Sequence, residues 1–132
     1  MEFRYKKEST PIFGEILMPL IEFGIKTNTG WVSALGCVDS GADITLLPLS
    51  FIRVLGIRIE DEEIKELSGV GGGGISVIIK KVELKIANVE IKSNVAIALT
   101  EQVPYLIGRK DIFNKFKIVF EEYNQKIIFE KI

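Results

Sequence analysis

The chain has no histidine and only one cysteine, Cys37, among its 132 residues. The lack of histidine excludes Ser-His-Asp and Cys-His nucleophile arrangements and every zinc site that needs histidine ligands. A single cysteine can form neither an internal disulfide nor a cysteine-rich metal cluster, and it fits a reducing compartment. Acid–base chemistry must therefore come from Asp, Glu, Lys, Tyr or that one thiol, with carboxylates as the first candidates. We expect neither a metal nor a cofactor.

The chain also lacks an excess of one charge and any long apolar run. Its 17 basic and 18 acidic residues are mixed along the sequence and give a formal net charge of -1. Such a balance provides no field to attract nucleic acid or an anionic membrane. Pro11, Glu15 and Pro19 interrupt the amino-terminal apolar residues, so the sequence predicts neither a signal peptide nor a membrane span. We therefore expect a cytoplasmic protein without nucleic-acid or membrane partners.

Length and composition predict one folded domain. The residues are 47% hydrophobic and 27% charged, which is typical of a globular protein long enough to bury a core. Alternation of apolar and polar side chains predicts strands on both sides of turns at residues 28–30, 87–88 and 123–125. Short helices are expected within residues 45–57 and 109–115. The pattern predicts a mostly antiparallel β domain, either a small barrel or a sandwich.

Residues 67–75 concentrate glycine, with four in succession after Val70. Glycine permits positive φ and leaves few side chains to pack, so we expect a mobile loop or a hairpin tip. Glycine-rich loops also bind phosphate, but such a site needs a following Lys-Ser or Lys-Thr and a helix N-terminus. Gly74 is instead followed by the strand-like sequence Ile75-Ser76-Val77-Ile78-Ile79. A hairpin tip is therefore favoured over a phosphate site.

An acidic turn, CVDSGADITLLP at residues 37–48, follows an apolar run. Asp39 therefore lies where a strand leaves the core, next to two turn residues, Ser40 and Gly41. Taken alone, the acid has a simple explanation as a turn cap that accepts hydrogen bonds from main-chain N–H groups. That role accounts neither for the second acid at Asp43 nor for the apolar residues behind it.

The sequence Val38-Asp39-Ser40-Gly41-Ala42-Asp43, with Thr45 beyond it, resembles the active-site signature of the retropepsin-like aspartic proteases. This is the single-domain family that includes the retroviral proteases. Residues 67–72 resemble the glycine-rich flap of that family, which closes over substrate. Tyr105-Leu106-Ile107-Gly108-Arg109 resembles its apolar-apolar-Gly-Arg segment. The three segments occur in the order that the family requires.

The resemblance implies a single retropepsin-like domain over residues 1–132, built as a small closed antiparallel β-barrel with one or two short helices. It further implies an aspartic endopeptidase in which a water is activated between two carboxylates. The chain has only one acid in such a motif, because Asn28-Thr29-Gly30 carries an amide in its place. The catalytic pair would therefore be Asp39 from each subunit of a C2 homodimer. Ser40 and Gly41 would support the catalytic loop.

The resemblance also assigns the residues around the catalytic acid. Contacts with a peptide or protein substrate fall on six residues: Ala42, Asp43, Gly69, Val70, Gly71 and Gly72. Asp43 would in addition form a structural ion pair with Arg109. Breaking a deeply buried pair would cost about 3–5 kcal/mol, whereas an exposed pair is worth about 0–1 kcal/mol. The sequence does not distinguish the two, although we favour partial burial.

A second functional hypothesis keeps the fold and omits the catalysis. The chain would then be an inactive dimeric module that binds peptide or serves in assembly, since a fold alone does not determine function. Three features depart from the family pattern: Ser40 stands where Thr is common in retroviral members, a run of four glycines lengthens the flap tip, and the closing hairpin of residues 116–132 exceeds their short carboxyl end. The intact acid motif, with its matching flank and flap, favours the enzyme.

Overall fold

The computed structural model describes residues 1–69 and 71–132 and is mostly β, with 56% strand and 11% helix. In chain order, the strands of these residues are β1 Glu2–Arg4, β2 Lys6–Thr10, β3 Gly14–Met18, β4 Leu20–Thr27, β5 Gly30–Val38, β6 Thr45–Leu47, β7 Lys65–Ser68, β8 Gly74–Ile86, β9 Val89–Ala98, β10 Leu106–Ile107, β11 Phe116–Glu121 and β12 Lys126–Lys131. The helical segments are α1 Ser50–Val54 and the single 3-10 turns Ile59–Asp61, Phe113–Lys115 and Glu122–Asn124. The predicted mostly β class is confirmed.

Six strands close into a barrel in the order β4, β5, β10, β6, β9 and β8. The closure is short, because β8 meets β4 at two residue pairs, one of them Gly24↔Lys85. On β4, the alternate residues Ile21, Phe23 and Ile25 are at most 2% exposed, as the two-residue period of a strand with one face in the core requires. The predicted closed barrel is confirmed.

The barrel is not wholly antiparallel, which corrects one part of the prediction. β10 lies between β5 and β6 and runs parallel to β5, with Leu106 opposite Cys37 and Ile107 opposite Val38. β6 in turn runs parallel to β9. Parallel neighbours need long crossover connections, and the chain between β6 and β9 provides one through α1, β7 and β8. Such distant pairing leaves no signature in a short window of sequence.

Two smaller sheets lie outside the barrel. β1, β12 and β11 form an antiparallel sheet in that order, so the predicted closing hairpin is confirmed and has β1 as a third strand. Phe129 packs edge-on against Phe3 and Phe116, with ring centroids 5.9 and 5.2 Å away, which attaches this sheet to the core. β2 and β3 form a hairpin of their own, and its tip exposes Ile12 and Phe13 by 83% and 73%.

The predicted tight turns are confirmed. Ala87 and Asn88 join β8 to β9 with φ angles of 49° and 64°, the left-handed conformation that two-residue hairpin loops require. β4 and β5 are joined at residues 28–29, with Thr27 opposite Gly30. These turns were predictable because their geometry depends on residues at the turn itself.

The predicted helices are shorter than expected. Residues 45–47 form the buried strand β6, so only α1 remains of the helix predicted within residues 45–57. Of the helix predicted for residues 109–115, only a 3-10 turn forms, because Asp111 has a φ of 66° that no right-handed helix accommodates. No helix of the described residues is long and apolar enough to cross a membrane.

Candidate active site

Asp39 is the first residue after β5, and its main chain is fixed to the neighbouring strand. The Asp39 N–H donates a hydrogen bond to the Ile107 carbonyl at 3.0 Å. Val38, immediately before it, is 3% exposed and donates its N–H to the Pro19 carbonyl at 3.0 Å. The acid therefore leaves the barrel at a point held by main-chain bonds on both sides, which limits its movement.

The carboxylate of Asp39 is half-buried and held by its own loop. The Gly41 N–H donates to Asp39 Oδ1 at 2.8 Å, and the Ala42 N–H donates to the Asp39 carbonyl at 3.1 Å. A Cβ at Gly41 would lie 3.2 Å from the same Oδ1, closer than most side chains approach a neighbour. Within the described residues Oδ2 accepts no hydrogen bond. One oxygen is thus fixed while the other is left for a proton, a water or a partner.

Gly108 follows β10 and lies against the main chain of the acidic loop. Its N–H donates to Thr45 Oγ1 at 3.1 Å in a buried contact. A Cβ at Gly108 would lie 2.8 Å from the Thr45 nitrogen and closer still to the Ile44 carbonyl group, so a side chain does not fit without main-chain movement. The Arg109 N–H donates to the Ala42 carbonyl at 2.9 Å. The two motifs singled out in the sequence therefore meet through their main chains.

Asp39 opens on a cleft with a volume of about 510 Å³. Asp43 is the other acid of its lining, and within the described residues no Lys or Arg side chain lines it. The apolar lining comes from the barrel and from the β7–β8 hairpin: Ile44, Leu46, Leu67, Ile75 and Leu106. A concave site with apolar walls and a few polar groups is the usual form of a ligand-binding cleft.

The β7–β8 hairpin forms one wall of this cleft. Leu67 pairs with Ile75, Ser68 pairs with Gly74, and both pairs line the cleft. The predicted hairpin tip is confirmed around the glycine run, where the Gly69 N–H donates to the Gly73 carbonyl at 3.0 Å. Glycine accommodates the positive φ angles of Gly71 and Gly72 at this tip without steric cost.

Not every predicted binding residue lies in the cleft. Ala42, Asp43 and Gly69 line it. Gly71 and Gly72 lie at the hairpin tip, with φ angles of 91° and 80°, and are not part of the lining. Val70 lies outside the described residues. The tip residues would contact a ligand only if the hairpin closed over it.

Asp43 and Arg109 are neighbours, but the predicted ion pair is not observed in the single chain. Both side chains are exposed, and within the described residues no charged atoms of the two approach to 4.0 Å. The segments are joined by the main chain instead, where the Lys110 N–H donates to the Asp43 carbonyl at 2.8 Å. The exposure of both side chains contradicts the expected partial burial in the single chain. Exposed charges gain little by pairing, which fits the missing ion pair.

Cys37 and Ser40 flank the acid differently. Ser40 is exposed on the loop. Cys37 is half-buried, and that burial, with smaller contributions from the charges of Asp39 and Glu8, raises the pKa of its thiol. A thiol that holds its proton is a poor nucleophile. The Cys37 thiol is therefore a weaker candidate for acid–base chemistry than the carboxylates that line the cleft.

Sequence reasoning missed the apolar walls of the cleft. Leu67 and Ile75 could have been identified, since a hairpin with its tip in the glycine run places them opposite each other. Leu46 and Leu106 meet through the pairing of β6 with β10, which is too distant in sequence to predict from local pattern. A larger depression of about 690 Å³ lies beside α1, but Arg53 and Glu101 are its only charged lining residues among those described, so it contains a single carboxylate.

No protein-family model matches the chain, and no curated protein matches its sequence at a significant level. The resemblance to the retropepsin-like proteases therefore depends on the three sequence motifs. It remains a prediction, which the geometry of the cleft makes specific enough to test.

Proposed function

We propose that the chain is a retropepsin-like aspartic endopeptidase that hydrolyses peptide bonds as a C2 homodimer. One observation carries the proposal: Asp39, with one carboxylate oxygen held at 2.8 Å by the Gly41 N–H, opens on an apolar cleft walled by a glycine-tipped hairpin. Each part has a role in such a reaction. The acid activates water, the apolar walls bind substrate, and the hairpin excludes solvent.

Two carboxylates that share one proton can hydrolyse a peptide bond without histidine or metal. One accepts a proton from the attacking water while the other donates its proton to the carbonyl oxygen. The sharing arises because two carboxylates about 3 Å apart cannot both ionise. Within the described residues the Asp39 carboxylate accepts a hydrogen bond from the Gly41 main-chain N–H and none from a second acid. A second copy of the chain would provide the missing carboxylate.

The cleft favours an extended peptide segment with apolar side chains near the cleaved bond. Leu67, Ile75 and Leu106 offer apolar contacts close to Asp39. Within the described residues β7 pairs with β8 on one side only, so its other edge has main-chain groups available to an extended ligand. Main-chain hydrogen bonds of this kind give affinity, while side-chain pockets select the sequence.

A cleavage assay on an unstructured protein tests the proposal. Asp39→Asn should lower the hydrolysis rate by about 10²- to 10⁴-fold, the usual contribution of a general acid or base, while the circular dichroism spectrum and the association state stay unchanged. Asp61→Asn is a matched control, since it makes the same chemical change at an exposed 3-10 turn outside the cleft lining. Full activity in Asp39→Asn would refute the mechanism.

An inactive peptide-binding module is the second candidate. The hydrogen bond from the Gly41 N–H to Asp39 Oδ1 spans two residues, which is also the contact of an ordinary Asx turn. Under this hypothesis the wild type and Asp39→Asn bind an extended apolar peptide equally and neither cleaves it. Cleavage by the wild type alone excludes this candidate.

A further inference from the structure

The β2–β3 hairpin stands apart from the rest of the fold. β2 and β3 pair with each other and, within the described residues, with no other strand. None of residues 6–18 is buried, and residues 11–15 at the tip are all exposed. Of these hairpin residues, Leu17 packs against the core cluster. A two-stranded hairpin alone has little stability in water, so this one would gain from a surface that covers it.

The tip of the hairpin presents an apolar pair in a fixed conformation. Ile12 and Phe13 follow Pro11 and are 83% and 73% exposed. Thr10 Oγ1 accepts a hydrogen bond from the Phe13 N–H at 3.0 Å and donates one to the Gly14 carbonyl at 2.9 Å. Gly14 has a φ of 67°, the left-handed conformation that closes such loops. A run of exposed apolar residues held outward by its own turn is typical of an interaction site.

The hairpin leaves the barrel at the end that carries Asp39. β3 is followed by Pro19, whose carbonyl accepts a hydrogen bond from the Val38 N–H at 3.0 Å. β4 and β5 are antiparallel, with Leu20 opposite Cys37. The chain that enters β4 and the chain that leaves β5 therefore lie at the same end of the barrel. The first is the hairpin and the second is the acidic loop.

The second copy that the proposed function requires would meet the chain at this same end. Two Asp39 carboxylates share a proton only when they lie about 3 Å apart. The five residue pairs of the hairpin, from Lys6↔Met18 to Thr10↔Gly14, span about 14 Å. The hairpin is thus several times longer than the gap between the two acids. Its tip comes within reach of the second copy.

Other occupants fit the tip less well. The charged residues of the hairpin are Lys6, Lys7, Glu8 and Glu15, whose formal charges cancel, so the hairpin has no attraction to an anionic membrane. Of the described residues that line the cleft, none precedes Asp39. The hairpin therefore does not cover the cleft of its own chain.

We propose that the β2–β3 hairpin is an arm that reaches across to a second copy of the chain and buries Ile12 and Phe13 on it. Two-fold symmetry makes the contact reciprocal. Main-chain bonds fix both ends of the arm, since the Tyr5 N–H donates to the Gln125 carbonyl at 2.8 Å and Pro19 is held by β5. An arm fixed in this way loses little freedom on association. The proposal rests on the two-subunit part of the proposed function and names an element that joins the copies.

Removal of the apolar tip is the first test. Phe13→Ser should raise the dimer Kd in sedimentation equilibrium about tenfold or more, because two phenyl rings per dimer would lose their burial. Val54→Ser is the matched control, since Val54 is 38% exposed on α1. α1 follows β6, which runs antiparallel to β10 and so away from the acid. The control should change the Kd by less than about twofold. Equal effects of the two variants would overturn the proposal.

Fluorescence tests the burial of the tip directly. In a Trp31→Phe background, Phe13→Trp places the only indole at the tip. As the protein concentration rises through the dimer Kd, its emission should move to shorter wavelength and iodide should quench it less. Tyr123→Trp in the same background is the control, because Tyr123 is 83% exposed on another turn and should show neither change. An indole at the tip that iodide reaches equally in monomer and dimer would refute the arm. A shift that appears only with phosphatidylcholine vesicles would also refute it.

Hydrolysis is measured in the same samples, so the arm and the protease can fail separately. A dimer weakened by Phe13→Ser and not by Val54→Ser, without hydrolysis by any variant, supports the arm and refutes the protease. Hydrolysis by wild type and Phe13→Ser with the same dimer Kd supports the protease and refutes the arm. A chain that stays monomeric at every concentration also refutes the arm.

Discussion

The Thr45 hydroxyl accepts a hydrogen bond from the Gly108 main-chain N–H at 3.1 Å, and both residues are buried. The bond joins the loop that carries Asp39 to the end of β10, although the two residues are 63 positions apart in the chain. Because water reaches neither group, the donor depends on this acceptor. The position of the candidate catalytic loop is thereby tied to the stability of the barrel.

Thr45→Val should destabilise the fold by about 1–3 kcal/mol, the cost of leaving a buried N–H unsatisfied. Valine keeps the shape of threonine and removes only the acceptor. Thr45→Ser is the control, since it keeps the hydroxyl and should cost less than Thr45→Val. Unfolding in urea measures both, and an equal loss in the two variants would show that packing, not the hydrogen bond, matters here.

Gly108→Ala should lower the free energy of unfolding by more than Thr45→Val does, by about 3 kcal/mol or more. The reason is that a Cβ at position 108 would meet main-chain atoms of Ile44 and Thr45. Main chain cannot move aside as a flexible side chain can. Gly73→Ala is the comparison, since a Cβ at Gly73 meets no atom within 4 Å. It should change the free energy of unfolding by at most about 0.5 kcal/mol. A mild effect of Gly108→Ala would mean that the β10 segment adapts more easily than its contacts indicate.

The neutral Tyr5 hydroxyl contributes stability that alkaline pH removes. Burial first, then the hydrogen bond to Glu122 and nearby negative charge, raise the pKa of Tyr5 from 10.0 to about 12. The unfolded chain thus loses this proton near pH 10, while the folded chain keeps it to about pH 12. The stabilisation is complete below pH 10 and is lost as the pH rises through 12.

Urea unfolding of the wild type and Tyr5→Phe at a series of alkaline pH values tests this coupling. The two proteins share every other titratable group, so the difference in unfolding free energy isolates Tyr5. That difference should favour the wild type at neutral pH and decrease above pH 10. A difference that stays constant with pH would contradict the coupling.

The proposed protease should show a bell-shaped dependence of kcat/KM on pH. Activity needs the pair of Asp39 residues to hold one proton between them, so it declines where both are protonated and again where both are ionised. The optimum should be acidic to near-neutral. Initial rates on one peptide across the pH range measure the profile, and a rate that keeps rising into alkaline solution would argue against a shared proton.

Strands that pair with their neighbours in sequence were predictable, and distant pairings were not. The turn at Ala87 and Asn88 and the alternation around it define the β8–β9 hairpin within a short window. β10 has only two residues, and its place between β5 and β6 depends on partners far along the chain. The sequence of β2, Lys-Lys-Glu-Ser-Thr, is polar throughout and gave no sign of a strand.

In the candidate site, too, the residues with local contacts were predictable and those with distant contacts were not. Asp39 was identified from its own short motif, and its hydrogen bond with Gly41 is local. Whether the Asp43 and Arg109 side chains form an ion pair was not predictable, because exposed charges are placed by small energies that a sequence pattern does not determine. Of the apolar walls, Leu46 and Leu106 are brought together only by the folded barrel.

Trp31, the only tryptophan of the chain, lies across the short closure of the barrel. Lys85 Nζ lies 4.8 Å from the ring centroid, and a Cβ at Gly24 would lie 3.2 Å from the indole. Gly24 and Lys85 form one of the two residue pairs that join β4 to β8. Separation of these strands would change the surroundings of the indole directly. The protein therefore carries an intrinsic fluorophore whose emission reports whether the barrel is closed, without any added label.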